Sequence, residues 1–141
     1  MEGKYPERTA PTILLVEDEE QVLKLSVKVL EMCGYIVLRA GTGLEALILS
    51  GAHAGPIDLL FADLELDSSL NGSEVARLLR RARPGLRVIY TSGYPLEMSQ
   101  EYGGDAVRKE TQELLASFLP KPFTPSMLAE KVHCSLEEMP V

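Results

Sequence analysis

The chain has 141 residues, 45% of them hydrophobic, enough for one domain whose core needs neither disulfides nor structural metal. Cys33 and Cys134 form no CxxC or Cys/His cluster, which argues against a zinc site or a redox motif and leaves both as reduced helix residues. The net charge of −7, without a basic block, argues against direct nucleic-acid binding; no apolar run approaches the ~18 residues of a membrane span, and Met1 to Pro11 lacks a signal peptide's apolar stretch, so a cytoplasmic protein with protein partners is expected.

Residues 1–11, polar and ending in two prolines' reach, read as a flexible leader before the apolar run Thr12 to Val16, a short buried strand. The acids Glu17 to Glu20 follow, then Val22, Leu25, Val29, Met32 and Cys33 at helical spacing, closed by Gly34 where a C′ glycine would sit. Tyr35 to Arg39 is strand-like and Gly43 to Ser50 helical. After the Gly55-Pro56 breaker, Ile57 to Ala62 reads as a second strand, apolar but for Asp58 and again followed by acids. Gly72 to Arg83 predicts an amphipathic helix, with Val75, Leu78, Leu79 and Ala82 on one side and Arg77, Arg80, Arg81 and Arg83 on a solvated face. Leu86 to Thr91 predicts a strand, Tyr94 to Ser117 two short helices split at Gly103-Gly104, and Phe118-Leu119 the start of a last strand. Thr124-Pro125 suits the N-cap and first position of a final helix reaching about Glu138. Strands alternating with helices, without internal repeat, predict an α/β protein with a doubly wound parallel sheet of five strands.

The acids follow two of these strands directly, Glu17 and Asp18 after the first and Asp63 after the third. Ligands of open α/β sheets bind beyond the carboxyl ends of the strands where strand order reverses, and an order 2-1-3-4-5 would bring the first and third strands together there. Three converging carboxylates need a cation, and an all-oxygen set with open positions suits Mg²⁺, with Mn²⁺ as a substitute. Any one of these acids alone would be an ordinary loop residue or helix cap; together with Ser92 ending the fourth strand and Lys121 ending the fifth, they suggest a phosphoryl site. Such a rim would supply an anionic nucleophile, a divalent metal, a cation and a hydroxyl donor.

Four segments, Ile-Leu-Leu-Val-Glu17-Asp18, Leu-Leu-Phe-Ala-Asp63-Leu-Glu, Val-Ile-Tyr-Thr-Ser92-Gly-Tyr and Phe118-Leu-Pro-Lys121-Pro-Phe, stand in order at strand ends and resemble the receiver domains of response regulators and hybrid histidine kinases. The resemblance spans about Thr12 to Glu138. It implies a flavodoxin-like (βα)5 fold and a role in two-component phosphorelay signalling. It also implies residue roles: Asp63 as phosphoacceptor; Glu17, Asp18, Asp63 and the backbone carbonyl of Glu65 around Mg²⁺; Lys121 paired with the phosphoryl oxygens; Ser92 as the switch hydroxyl and Phe118 as the aromatic that follows it inward, a plain core residue being the alternative for Phe118. Lys121-Pro122 resembles the family's cis peptide. The loop from Asp63 to Gly72 is one residue longer than the commonest form and carries Asp67 where a proline is common, and Glu17 replaces the more frequent aspartate.

The expected division is a leader over residues 1–11, a receiver over 12–138 and a tail over 139–141, which leaves no room for an output domain. Expected partners are a histidine kinase or histidine phosphotransfer protein and a downstream protein target, with the chain a monomer or weak homodimer. Phe123, Met127 and Leu96 to Tyr102 are candidates for the output surface, ordinary helix packing being the stronger reading for Met127. Glu65 and Tyr94, each two residues beyond Asp63 or Ser92, would hinder attacking water and prolong the phosphoaspartate. Two rival readings are a phosphate-independent docking module, whose mark would be a missing acid, lysine or hydroxyl, and an Asp-nucleophile phosphohydrolase. The latter's Asp-x-Asp motif would want an aspartate at position 65, usually after the first strand.

Overall fold

The computed structural model describes residues 10–66, 70–93 and 116–137. Five parallel strands, β1 (Thr12–Val16), β2 (Ile36–Ala40), β3 (Leu59–Asp63), β4 (Arg87–Ser92) and β5 (Ala116–Pro120), form one sheet in the order β2-β1-β3-β4-β5. Four helices accompany them among the described residues: α1 (Glu20–Met32), α2 (Gly43–Ala52), α3 (Gly72–Ala82) and α4 (Pro125–Glu137). The expected architecture and strand order are thus observed. The two short helices expected between Tyr94 and Ser117, and the leader and tail, fall outside the described residues apart from the onset of β5.

β1 from Ile13 to Val16 and β3 from Leu59 to Ala62 are wholly apolar because both faces of each strand are covered. Alternate residues point to opposite sides. Leu14, Val16, Leu60, Ala62 and Tyr90 pack with α2 and α3, while Ile13, Leu15, Leu59, Phe61 and Ile89 pack with α1 and α4. The register sets Val16 beside Ala62 and Asp63 beside Thr91, so the chain leaves β1, β3 and β4 at one common edge.

Helix ends follow their local chemistry. Asn71 and Glu74 form a reciprocal capping box on α3, Thr42 accepts the Glu45 amide at 3.1 Å on α2, and Thr124 accepts the Met127 amide at 3.1 Å on α4; each such cap contributes about 1 kcal/mol. Gly34, at φ +95°, takes the left-handed turn that ends α1.

Two readings of helix faces need correction. The buried face of α1 is Ser26, Val27 and Leu30 with Leu23 alongside, whereas Leu25 and Met32 are 47% and 78% exposed and Cys33, the C-cap, is exposed as well. Seven apolar residues in thirteen positions support two stripes at i, i+3, i+7 spacing, and the one facing the sheet includes a serine that hydrophobic counting passes over.

Nor are the arginines after Val75 one solvated face. Arg83 donates from Nε to Ser50 Oγ at 3.0 Å and from its terminal nitrogens to the carbonyls of Ser50, His53 and Gly55 at 3.1 Å each; Arg80 Nε donates to Leu86 O at 3.2 Å. Carbonyls left over at the end of α2 need donors, and a planar guanidinium supplies several at once. Ala82, expected on the apolar side, is exposed.

Candidate functional site

The chain bends sharply as it leaves each strand at the carboxyl edge. After β1, the Glu17 amide still donates to Ala40 O of β2 at 3.0 Å, which fixes the backbone, while Glu17 Oε2 accepts the Glu19 amide at 3.0 Å and holds the turn into α1. After β3, Asp63 Oδ1 accepts the Glu65 amide at 2.9 Å and the Leu64 amide donates to Thr91 O at 2.9 Å. The Asp63 carboxylate is thereby oriented by its own following loop. Beyond β4, the Lys121 amide donates to Ser92 O at 2.9 Å, tying the ends of β4 and β5 together.

Ligating oxygens of Glu17, Asp18 and Asp63 all lie within 4.8 Å of one another. Glu17 and Asp63 are buried at 1% and 2% exposure. Lys121 Nζ lies 2.7 Å from Asp63 Oδ2, 3.0 and 3.3 Å from the two Glu17 oxygens and 3.8 Å from Glu19 Oε1. One ammonium therefore faces several carboxylates, and the charge does not balance. Burial, then the neighbouring Asp63 charge, pushes the Glu17 pKa up to about 7. Burial works against the Lys121 charge, but hydrogen bonding and attraction to Asp63, then to Glu17, outweigh it and raise its pKa. Glu17 Oε1 is buried without a hydrogen-bond donor in proper geometry, although Lys121 Nζ is near. Hard oxygen ligands, excess negative charge and an unsatisfied buried carboxylate oxygen fit a divalent cation such as Mg²⁺.

Ser92 is fully buried at the end of β4, and its hydroxyl donates to the Glu65 carboxylate, which also accepts the Gly93 amide at 3.0 Å. Glu65, whose side chain the two-residue spacing from Asp63 already put beside the site, thus enters it through its carboxylate; the bond to Ser92 is the part that spacing did not reveal. Phe118 is partly buried beside Tyr90 and packs against the α2 and α3 side of the core. Phe123, a candidate for the output surface, meets Phe61 edge to face, with centroids 5.9 Å apart at 78°. It lines an open groove of about 580 Å³ with Glu19, Gln21, Val22, Leu25, Gly93, Lys121 and Pro122. Met127 is 40% exposed, so the packing expected of it is only partial. Asp67, Tyr94 and Leu96 to Tyr102 lie outside the described residues. The Lys121-Pro122 peptide is cis, as the resemblance implied.

Gly72 is a further site residue that sequence reading treated only as a helix start. A Cβ there would lie 2.4 Å from Asp63 O and 2.9 Å from Asp63 C. The first turn of α3 therefore packs directly on the backbone of Asp63, an approach open only to glycine.

Comparison with known proteins agrees with this fold. The family model described as response regulator receiver domain matches residues 13–133, and the chain belongs to that family. It is 33% identical over 127 residues to the sensor kinase CckA of Brucella abortus (strain 2308), covering 90% of this chain and 13% of that protein. The chain thus spans only a small part of that kinase's length. Among solved structures, the receiver domain of the hybrid histidine kinase CckA is 34% identical with a TM-score of 0.70, covering 89% of this chain and 98% of that one. A response regulator receiver protein from Sinorhizobium medicae WSM419 is 27% identical with a TM-score of 0.76, covering 93% and 98%. The chain is a receiver domain of two-component signalling. Among the described residues, no helix is long and apolar enough to cross a membrane.

Proposed function

We propose that Asp63 accepts a phosphoryl group from a phosphohistidine on a histidine kinase or phosphotransfer protein, within a single receiver unit spanning residues 12–138. The observation that carries this reading is the Asp63 carboxylate, buried at the sheet edge, 2.7 Å from the Lys121 ammonium and grouped with Glu17 and Asp18. Glu17, Asp18, Asp63 and the Glu65 carbonyl would hold Mg²⁺, which when bound neutralises charge on the phosphoryl oxygens.

An Asp63 oxygen attacks phosphorus, the bond from phosphorus to the donor imidazole breaks, and its electron pair leaves with the imidazole, giving an acyl phosphate. The Asx-like turn that holds Asp63 Oδ1 against the Glu65 amide fixes the direction of attack. Lys121 gives one positive charge to the arriving oxygens, and Ser92 turns its hydroxyl to them. Phe118 follows Ser92 inward, and the surface around β5 and α4 carries the change to a downstream protein. The groove beside Lys121, with apolar Val22, Leu25 and Phe123, supports docking of a protein donor. The chain acts as a once-loaded acceptor with slow self-hydrolysis rather than as a turnover phosphatase.

The test is intact-mass spectrometry after incubation with acetyl phosphate and Mg²⁺, beside EDTA and Asp63→Asn controls. A single Mg²⁺-dependent phosphoryl adduct absent from Asp63→Asn is expected. A folded wild-type protein that takes no adduct would overturn the reading in favour of phosphate-independent docking.

A further inference from the structure

The Glu65 carboxylate is itself an anion with two acceptor oxygens, and it takes two donors at the end of β4: the hydroxyl of Ser92 and, at 3.0 Å, the amide of Gly93. Both donors come directly after Thr91, the β4 residue that stands beside Asp63 in the sheet register, at the same carboxyl edge. The Asp63 turn places Glu65 there, because the Glu65 amide is held at 2.9 Å by Asp63 Oδ1 and the chain is bent back toward β4. Glu65 is only partly exposed, so the contact is partly sheltered from water. Charge-assisted bonds of this kind are about twice as strong as neutral ones.

We propose that Glu65 is a positioning residue that latches the resting site: its carboxylate occupies the Ser92 hydroxyl and the Gly93 amide, and a phosphoryl group on Asp63 must displace it to gain them. This rests on the acceptor reading and deepens it. Two anions compete for one pair of donors, so Ser92 is not waiting for a partner but exchanging one for another. The carboxylate released by that exchange swings out as a negative charge at the mouth of the site. The phosphorylated and resting forms then differ in the position of Glu65 as well as Ser92. Because the same donors serve both anions, weakening the resting contact favours the loaded form.

The test compares the initial rate of phosphoryl uptake from acetyl phosphate with Mg²⁺ in wild type, Glu65→Ala, Ser92→Ala and the double variant, each measured by intact mass. Uptake is expected to be on the order of tenfold faster in Glu65→Ala, the scale of one net charged hydrogen bond. Most of that gain is expected to vanish in the Ser92→Ala background, where no hydroxyl remains to be released. An equal gain in both backgrounds overturns the latch and assigns the effect to charge repulsion; no gain in either also overturns it. In the unphosphorylated protein, the Gly93 amide proton resonance is expected to move upfield in Glu65→Ala, and an unmoved resonance in that folded variant overturns the contact. Failure of the acceptor reading is distinct: wild type then takes no Mg²⁺-dependent adduct, or the adduct survives Asp63→Asn. Wild type that loads on Asp63, with Glu65→Ala no faster, overturns the latch alone.

Discussion

Arg83 and Lys121 each join segments distant in the sequence, but the acceptors they meet are of different kinds. Arg83 spreads its guanidinium over the hydroxyl and carbonyl of Ser50 and the carbonyls of His53 and Gly55, all neutral groups that need donors at the end of α2. Lys121 points one compact ammonium at carboxylates of Glu17, Asp63 and, further off, Glu19, whose summed charge it cannot balance. The first arrangement is satisfied as it stands and holds the fold. The second retains excess negative charge and a buried carboxylate oxygen without a proper donor, an imbalance that a divalent cation fits. A cation that leaves its surroundings unsatisfied marks a site for chemistry, whereas one that satisfies them marks a joint.

Substituting each cation separates the two jobs. Lys121→Ala is expected to slow phosphoryl uptake from acetyl phosphate by on the order of 10²- to 10³-fold, the effect of removing one charge-stabilising donor. Quench-flow or timed intact-mass measurements check it, and an undiminished rate would break the comparison. Arg83→Ala is expected to lower unfolding free energy by about 1–3 kcal/mol, because several part-buried acceptors lose a shared donor. Urea denaturation reads this, while uptake by the folded fraction stays unchanged.

A smaller effect concerns pH. The Glu17 pKa, raised by burial and Asp63 to about 7 against an ordinary 4.5, means that the folded chain still holds a proton that the unfolded chain has lost over that window. Stability without divalent metal therefore falls as pH rises from about 4.5 to about 7. Glu17→Gln is expected to flatten this slope, and Mg²⁺ to raise the melting temperature more at pH 8 than at pH 5. Asp63 and Lys121 face Glu17 and the Glu19 amide bonds it, so a slope unchanged in Glu17→Gln would assign the titration elsewhere in the cluster.

The sheet was legible because its central strands are buried on both faces and so read as unbroken apolar runs, Thr12 to Val16 and Leu59 to Ala62. Glu17, Asp18, Asp63, Ser92 and Lys121 were legible as a set for the same reason: each stands at or just beyond a strand end, and a parallel sheet brings those ends to one edge. Other features depended on where long side chains reach. Arg83 and the arginines before it look alike in sequence, and only the carbonyls left at the end of α2 distinguish it. The face of α1 turned on Ser26, a polar residue inside an otherwise apolar stripe. Glu65 was expected near the metal through its backbone carbonyl and near attacking water through its carboxylate; that the carboxylate reaches across to Ser92 is a contact between residues 27 apart that no local pattern encodes. Gly72 carried a signal that was open to reading, since a glycine opening a helix that already has an Asn71 and Glu74 capping box serves no capping need. Its reason is the close approach to Asp63.

The most direct test of the account is chemical mapping of the acceptor. The protein is loaded with acetyl phosphate and Mg²⁺, the acyl phosphate is reduced with borohydride, which turns the phosphorylated aspartate into homoserine, and the peptides are sequenced by mass spectrometry. The account predicts homoserine at position 63 and at no other acid. Reduction at Asp18, or at Glu17 or Glu65 as the corresponding alcohol, would contradict it.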